Sequence, residues 1–340
     1  MRRSAVPFVL VAMAAACFQD ATAPTPGFEP WLAFSPAPCT FTTVGTTMRL
    51  DADCSTSTTI MIPDGFTLDG GHHTITAVDP GVGSPFQGAV LRNAGMIAHV
   101  VFVDVRALGL AVSCKVGDAR LRGILFDGAS GSIMHSSVIG VHQAGSGCQE
   151  GNAVEVRNFD GAPTAVVEIA HNTIDAYQKT GIVCNGDAIC DVHHNDVGAS
   201  ATQAALAANS VQFGFGASGN LSLNRIAGNS WCQPSDWAAT AVLLFASGQG
   251  MSVLSNRIAG NSDVGIYAFS DGATIAKNFV SDVGADCNAF GYDYGIGDWG
   301  ASYPSPSNSL TKNQVSGFDT PYDPASPGGK NKVKKAHPAP

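Results

Sequence analysis

The sequence predicts an all-β fold, a three-sided right-handed parallel β-helix. Three observations predict it. One short phrase returns along the chain at a variable interval. The apolar residues flanking that phrase have the spacing of short strands and do not form a helical stripe. The composition agrees: Gly, Ala, Ser, Asn and Val abound and only 13% of the residues are charged, which suits short strands joined by tight turns.

The phrase is "VEIAHNTI" at Val167–Ile174, and it returns as "CDVHHNDV", "LSLNRI", "SVLSNRI", "TIAKNFV" and "SLTKNQV". The shared Asn falls at Asn172, Asn195, Asn224, Asn256, Asn278 and Asn313, with Ser136 of "SIMHSSV" in the same slot. The steps are 36, 23, 29, 32, 22 and 35 residues, a fixed minimum with variable excess. That is the mark of a coil with a constant core and loops of varying length. Three residues before the Asn stand Ile133, Ile169, Val192, Leu221, Val253, Ile275 and Leu310. Two residues after it stand Val138, Ile174, Val197, Ile226, Ile258, Val280 and Val315. Asn tolerates a left-handed backbone, so it is expected to turn the chain between two strands. Its amides are expected to bond to one another from coil to coil.

A third strand is predicted from "GNAVEV", "TGIVCN", "SVQFGF", "TAVLLF" and "VGIYAF", with Val154, Ile182, Val211, Val242 and Ile266 facing inward. Three strands per coil, stacked about 4.8 Å apart, enclose a core that no coil has alone. "TIMIPDGFTLDGGHHTITAV" is expected to form the opening coils, and "CTFTTVGTTMRLDADC" to cover the exposed edge. "AHVVFVDV" and "LRGILFDGASGSI" continue the pattern less regularly.

The ends predict export. "MRRSAVPFVLVAMAAAC" has two arginines, a short apolar run and small residues, a signal peptide over residues 1–16. Its close resembles a bacterial lipobox with Cys17 as the lipidated residue, although Ala14 is less typical there than Leu. The product is expected to be a cell-envelope lipoprotein or, with ordinary cleavage, a secreted protein, touching membrane only through the anchor. Residues 17–38 read as a tether, 39–325 as the β-helix with its N-terminal cap, and 326–340 as a disordered basic tail.

Eight cysteines remain after Cys17, an even number that suggests disulfides in an exported chain. Sequence proximity suggests Cys39–Cys54 and Cys184–Cys190; elimination leaves Cys114–Cys148 and Cys232–Cys287, with other pairings still open. The formal net charge is −9; loss of Arg2 and Arg3 makes it −11, and without the four lysines of the tail the body is near −15. Nucleic acid is thereby disfavoured as a partner, and so is a polyanionic polysaccharide unless cations or a local basic patch mediate contact. The chain is expected to be a monomer.

The repeat resembles that of the bacterial right-handed β-helix proteins of the pectate-lyase-like superfamily, over roughly residues 39–325. "GILFDGASGSIMHSSVIGVHQAGSGCQEGNAVEVRN" and "AYQKTGIVCNG" are similar to a recurring exported subgroup of that class. The resemblance implies a fold and an export route, and no assigned reaction. The superfamily includes polysaccharide lyases, glycoside hydrolases, epimerases and proteins without known catalysis, and fold does not choose among them. "DPGVG" at Asp79–Gly83 lacks the Asp-Pro-His-Asp/Glu signature of uronan epimerases, and the basic catalytic cluster of pectate lyases has no clear match. Arg225 and Arg257 fall on another face.

Three long loops, 140–151, 227–239 and 281–295, precede the third strand and are expected to wall a groove. Trp231, Trp237 and Tyr292 on the loops, with Tyr177, Gln212 and Tyr267 near the adjoining strand, are the candidate substrate-binding residues, because sugar rings stack on aromatic faces. Glu155 is the one ionisable residue facing outward in that strand column, with Lys179 expected nearby. A lyase needs a base and a cation for the sugar carboxylate; a hydrolase would pair Glu155 with Asp236 or Asp293. His135, His171 and His194, with His193, form a row that could ligate a transition metal. The repeat itself sets that spacing and no motif fixes a carboxylate beside it, so the row is read as a polar ladder and no metal site is assigned. No cofactor is assigned either; calcium would be compatible with the acidic body, but no motif carries it. The sequence thus predicts an exported protein that binds or processes extracellular polysaccharide, by lyase or hydrolase chemistry if it is an enzyme. The alternative is a non-catalytic structural or adhesive surface solenoid.

Overall fold

The computed structural model describes residues 37–143, 145–161, 163–233, 236–284, 288, 290–325 and 328–334. The expected signal peptide, Cys17 and nearly all of the tether lie outside the described residues, as does Cys287.

Short apolar runs broken by turn residues sort into three sheets of 11, 11 and 10 strands. The first sheet holds the strands before each asparagine, such as Ala188–His193; the second those after it, such as Arg225–Ala227; the third those of the "VEV" type, such as Asn152–Asn158. Successive coils pair in parallel throughout, and such crossovers wind right-handed. At the N-terminal end Phe41–Val44 folds back antiparallel on Thr47–Leu50.

The predicted inward residues lie in register, one coil above the next. Ile133, Ile169, Val192, Leu221, Val253, Ile275 and Leu310 form one column. Val138 to Val315 form the second, and Val154, Ile182, Val211, Val242 and Ile266 the third. None of these is more than 5% exposed. Each such burial is worth roughly 1.5–3 kcal/mol against an exposed side chain. Small residues open the third strand because the bend is tight: a Cβ on Gly181 would lie 2.6 Å from the Ser210 carbonyl oxygen.

The asparagines form a continuous buried ladder. Asn195 donates its backbone N–H (2.9 Å) and its Nδ2 (3.0 Å) to Asn224 Oδ1, and its Nδ2 also to the Ile169 carbonyl (2.8 Å). Its own Oδ1 accepts both donors of Asn172 at 3.0 Å. The pattern repeats from Asn172 to Asn313; at Ser136 only the backbone N–H donates to Asn172 Oδ1. The left-handed turn, however, belongs to the residue before the asparagine: His135, His171, His194, Leu223, Ser255, Lys277 and Lys312 all have φ between 50° and 59°. An asparagine that must reach the coils above and below has to point inward. The kink therefore falls on its neighbour, whose side chain points out. A left-handed L-residue costs roughly 1–2 kcal/mol, which the ladder's bonds offset.

The ladder also corrects the expected tail. Asn331 Oδ1 accepts the N–H (2.8 Å) and Nδ2 (3.0 Å) of Asn313, and Lys332–Lys334 pairs with Gln314–Ser316. The coil therefore extends to residue 334 because this basic segment carries the same Asn-x-Val phrase. Disulfides join Cys39 to Cys54, Cys114 to Cys148 and Cys184 to Cys190. Cys232 is also disulfide-bonded. Such bonds suit an oxidising, extracytoplasmic compartment.

Candidate functional site

On the outer face of the third sheet, Leu125, Glu155, Val183, Gln212, Leu243 and Tyr267 stand in one column. Glu155 does not meet Lys179. It is buried, accepts from Arg122 Nε at 2.6 Å and from Asn152 Nδ2 at 2.7 Å, and Arg122 is itself only 2% exposed. A carboxylate held this way is a structural counter-ion, because freeing it would leave a buried guanidinium unpaired. Beside it, Arg92 and Arg157 are tied to Asp118 and Asp127, another cluster that neutralises itself. Further along, Gln212 Nε2 bonds Asn185 Oδ1 at 3.1 Å, and Tyr267 meets Trp299 edge-on at 4.6 Å. The face thus passes from paired charges through amides to aromatic rings.

The loops brace one another around Asp263, a buried carboxylate that sequence reasoning missed. It accepts the backbone N–H of Trp231 (2.9 Å) and of Ala239 (2.8 Å) and Nδ2 of Asn288 (3.1 Å). Asn288 Nδ2 also reaches the carbonyls of Trp231 and Trp237 at 3.2 and 3.3 Å. The Tyr292 hydroxyl donates to the Asp236 carbonyl at 3.1 Å. Asp236 is exposed, whereas Asp293 is buried and accepts the Asp319 N–H at 2.5 Å, fixing the following turn. Asp236 precedes the strand Thr240–Phe245, three coils from that of Glu155, and Asp293 precedes Tyr294–Asp298, five coils away; at about 4.8 Å per coil the expected carboxylate pair does not form. Tyr177 is also corrected. It is wholly buried, with its hydroxyl 2.8 Å from Ser210 Oγ, and burial pushes that hydroxyl above its ordinary pKa. The ring fills the core where the coil bends and no glycan can reach it.

Three expected residues do come together. Lys179, Trp231 and Trp237 line one cavity of about 550 Å³, with Leu206 and Gln149 completing the wall. Trp237 is 68% exposed and Trp231 half-buried. Lys179 Nζ donates to the Ala207 carbonyl at 2.5 Å, and among the described residues it forms no ion pair. Desolvation lowers its pKa to about 8. The cavity therefore offers two indole faces and one under-solvated ammonium.

Two outward columns complete the surface. Phe159, Phe215, Phe245 and Phe269 are all exposed and follow one another at 6.3, 5.5 and 5.6 Å. Three of them end the phrases "SVQFGF", "TAVLLF" and "VGIYAF", where the signal lay unused. At the left-handed turn, His72, Phe102, His135, His171 and His194 stack with ring centroids 4.9–5.4 Å apart.

No family model matches the chain, and no curated protein matches it in sequence. Among solved structures it is similar to the Dettilon tailspike protein (gp208), at 14% identity and a TM-score of 0.30, over 84% of this chain and 61% of that one. It is also similar to a double mutant of the periplasmic alginate epimerase AlgG, at 11% identity and a TM-score of 0.36, over 86% of this chain and 85% of that one.

Proposed function

We propose that this chain is exported and binds an extracellular polysaccharide, seating one anionic sugar residue in the cavity of Trp231, Trp237 and Lys179. The observation that carries the reading is the meeting of two indole faces with a lysine that lacks a carboxylate partner among the described residues. Sugar C–H groups stack on indoles. A sugar carboxylate or sulfate would restore the interactions the ammonium lost on burial. The acidic body repels a polyanion only within about a Debye length, roughly 8–10 Å. Calorimetric titration with uronate oligosaccharides and their neutral counterparts tests this. The anionic ligand should bind better, Lys179→Met should erase the difference, and affinity should fall as pH rises through about 8, where the free lysine neutralises. An equal response to both ligands, or no binding to either, would sink the proposal.

A processing reading has one observation in its favour. An amine titrating near 8 can act as a base at neutral pH, as β-elimination beside a uronate requires. Hydrolysis is less well supported, since no carboxylate among the described residues lines this cavity. Appearance of an unsaturated product in the ultraviolet, lost in Lys179→Met, would favour a lyase. Binding without product would favour the non-catalytic solenoid.

A further inference from the structure

His171 and His194 occupy the left-handed turn in successive coils, with rings stacked at 5.1 Å and 18°. His193 closes the strand Ala188–His193, and its ring stands edge-on to both at 88°. The Nδ1 atoms of His193 and His194 are 2.9 Å apart. One ring nitrogen from each of the three residues lies within 4.8 Å of the other two. On the far side of the His193 ring, Nε2 is 3.1 Å from Glu168 Oε1 and 4.0 Å from Asp191 Oδ2. Glu168 and Asp191 are register partners in adjacent coils.

We propose that His171, His193 and His194 bind one divalent transition ion of the zinc, nickel and copper kind, with Glu168 positioning His193. An ion with nitrogen ligands at about 2.0–2.1 Å in a tetrahedral array sets them roughly 3.3 Å apart. The closest pair must open by a few tenths of an ångström, and the third ring must swing in. His171 and His194 are exposed and free to rotate to that extent. Coordination of His193 through Nδ1 leaves its Nε2–H for Glu168, the outer carboxylate contact that fixes tautomer and ring plane. Imidazole donors select zinc, nickel and copper over calcium and magnesium, which prefer oxygen. Three protein ligands leave a fourth position open to water. His135 stacks on His171 at 4.9 Å but lies outside the three-nitrogen set, which makes it an internal control.

The test is calorimetric titration of the full chain, purified without a polyhistidine tag, with Zn²⁺, and visible absorption with Co²⁺. One ion should bind per chain, tighter than about 10 μM. His171→Asn and His194→Asn keep a residue that tolerates the left-handed turn and remove a ligand. Each should weaken Zn²⁺ by more than the roughly 10–100-fold that loss of an outer partner costs. Glu168→Gln should fall within that 10–100-fold range, and His135→Asn should match the parent. Circular dichroism verifies that each variant is folded. Absence of saturable Zn²⁺ binding overturns the proposal, and so does parental affinity in both His171→Asn and His194→Asn.

Discussion

Lys179→Met should stabilise the protein while removing its anionic-ligand preference. In the folded chain desolvation lowers the lysine from its ordinary 10.5 to about 8. Each pKa unit is worth about 1.4 kcal/mol, so the charged ammonium costs about 3 kcal/mol at pH 7, and on the order of 2 kcal/mol once its partial exposure is allowed for. Methionine keeps the length of the stem and removes the charge; the Ala207 carbonyl loses its donor and turns to water. The sign follows from proton counts. Between pH 8 and 10.5 the folded lysine sheds its proton while the unfolded one keeps it, so the parent gains stability as pH rises through that window. Urea unfolding followed by circular dichroism should therefore find the variant about 2 kcal/mol more stable at pH 7, with the gap closing by pH 10. Ionising tyrosines cancel in the difference. A variant no more stable at pH 7, with a gap that ignores pH, would refute the desolvation argument and remove the reason to treat Lys179 as a functional cation.

The same structure separates side chains that hold the coil from side chains that face a ligand. Glu155→Gln should leave glycan binding unchanged but cost about 3–5 kcal/mol in urea unfolding, because Arg122 would stay buried without its counter-ion. Asn224→Ala should cost about 3 kcal/mol or more, read as a lowered midpoint, since Asn195 loses the acceptor of two donors and the Val192 carbonyl loses one donor. Trp237→Ala, at 68% exposure, should move stability by less than about 0.5 kcal/mol and weaken glycan binding at least tenfold by titration.

The fold was legible because its core repeats. Ile and Val keep fixed offsets from a polar corner, and the columns predicted from those offsets are the ones that stack. What the offsets could not say is which corner residue takes the kink: Asn tolerates it better than Leu223 or Lys277, and it falls on them because the inward bonds of the ladder decide. The coil at Asn331 was hidden by composition, four lysines masking an Asn-x-Val phrase. The site was less legible because it depends on partners from irregular coils. Arg122 lies 33 residues before Glu155, in a stretch where the repeat is less regular. Tyr177 read as a surface aromatic because it sits between strands, and its burial follows from Ser210 and Asn229, which close over its hydroxyl from later coils. Glu168, likewise, meets His193 only across a coil boundary.

The asparagine file makes the height of the body a whole-number quantity. From Asn172 to Asn313 every member offers the same two donors to the rung that follows and the same oxygen to the rung before, so rungs are interchangeable at that corner. The barest of them, from Asn256 to Asn278, needs only 22 residues. Duplication or loss of one such unit would lengthen or shorten the axis by about 4.8 Å and leave the file unbroken. An insertion of any fraction of a unit must bulge outward as a loop, and such a loop carries Trp231 and Trp237.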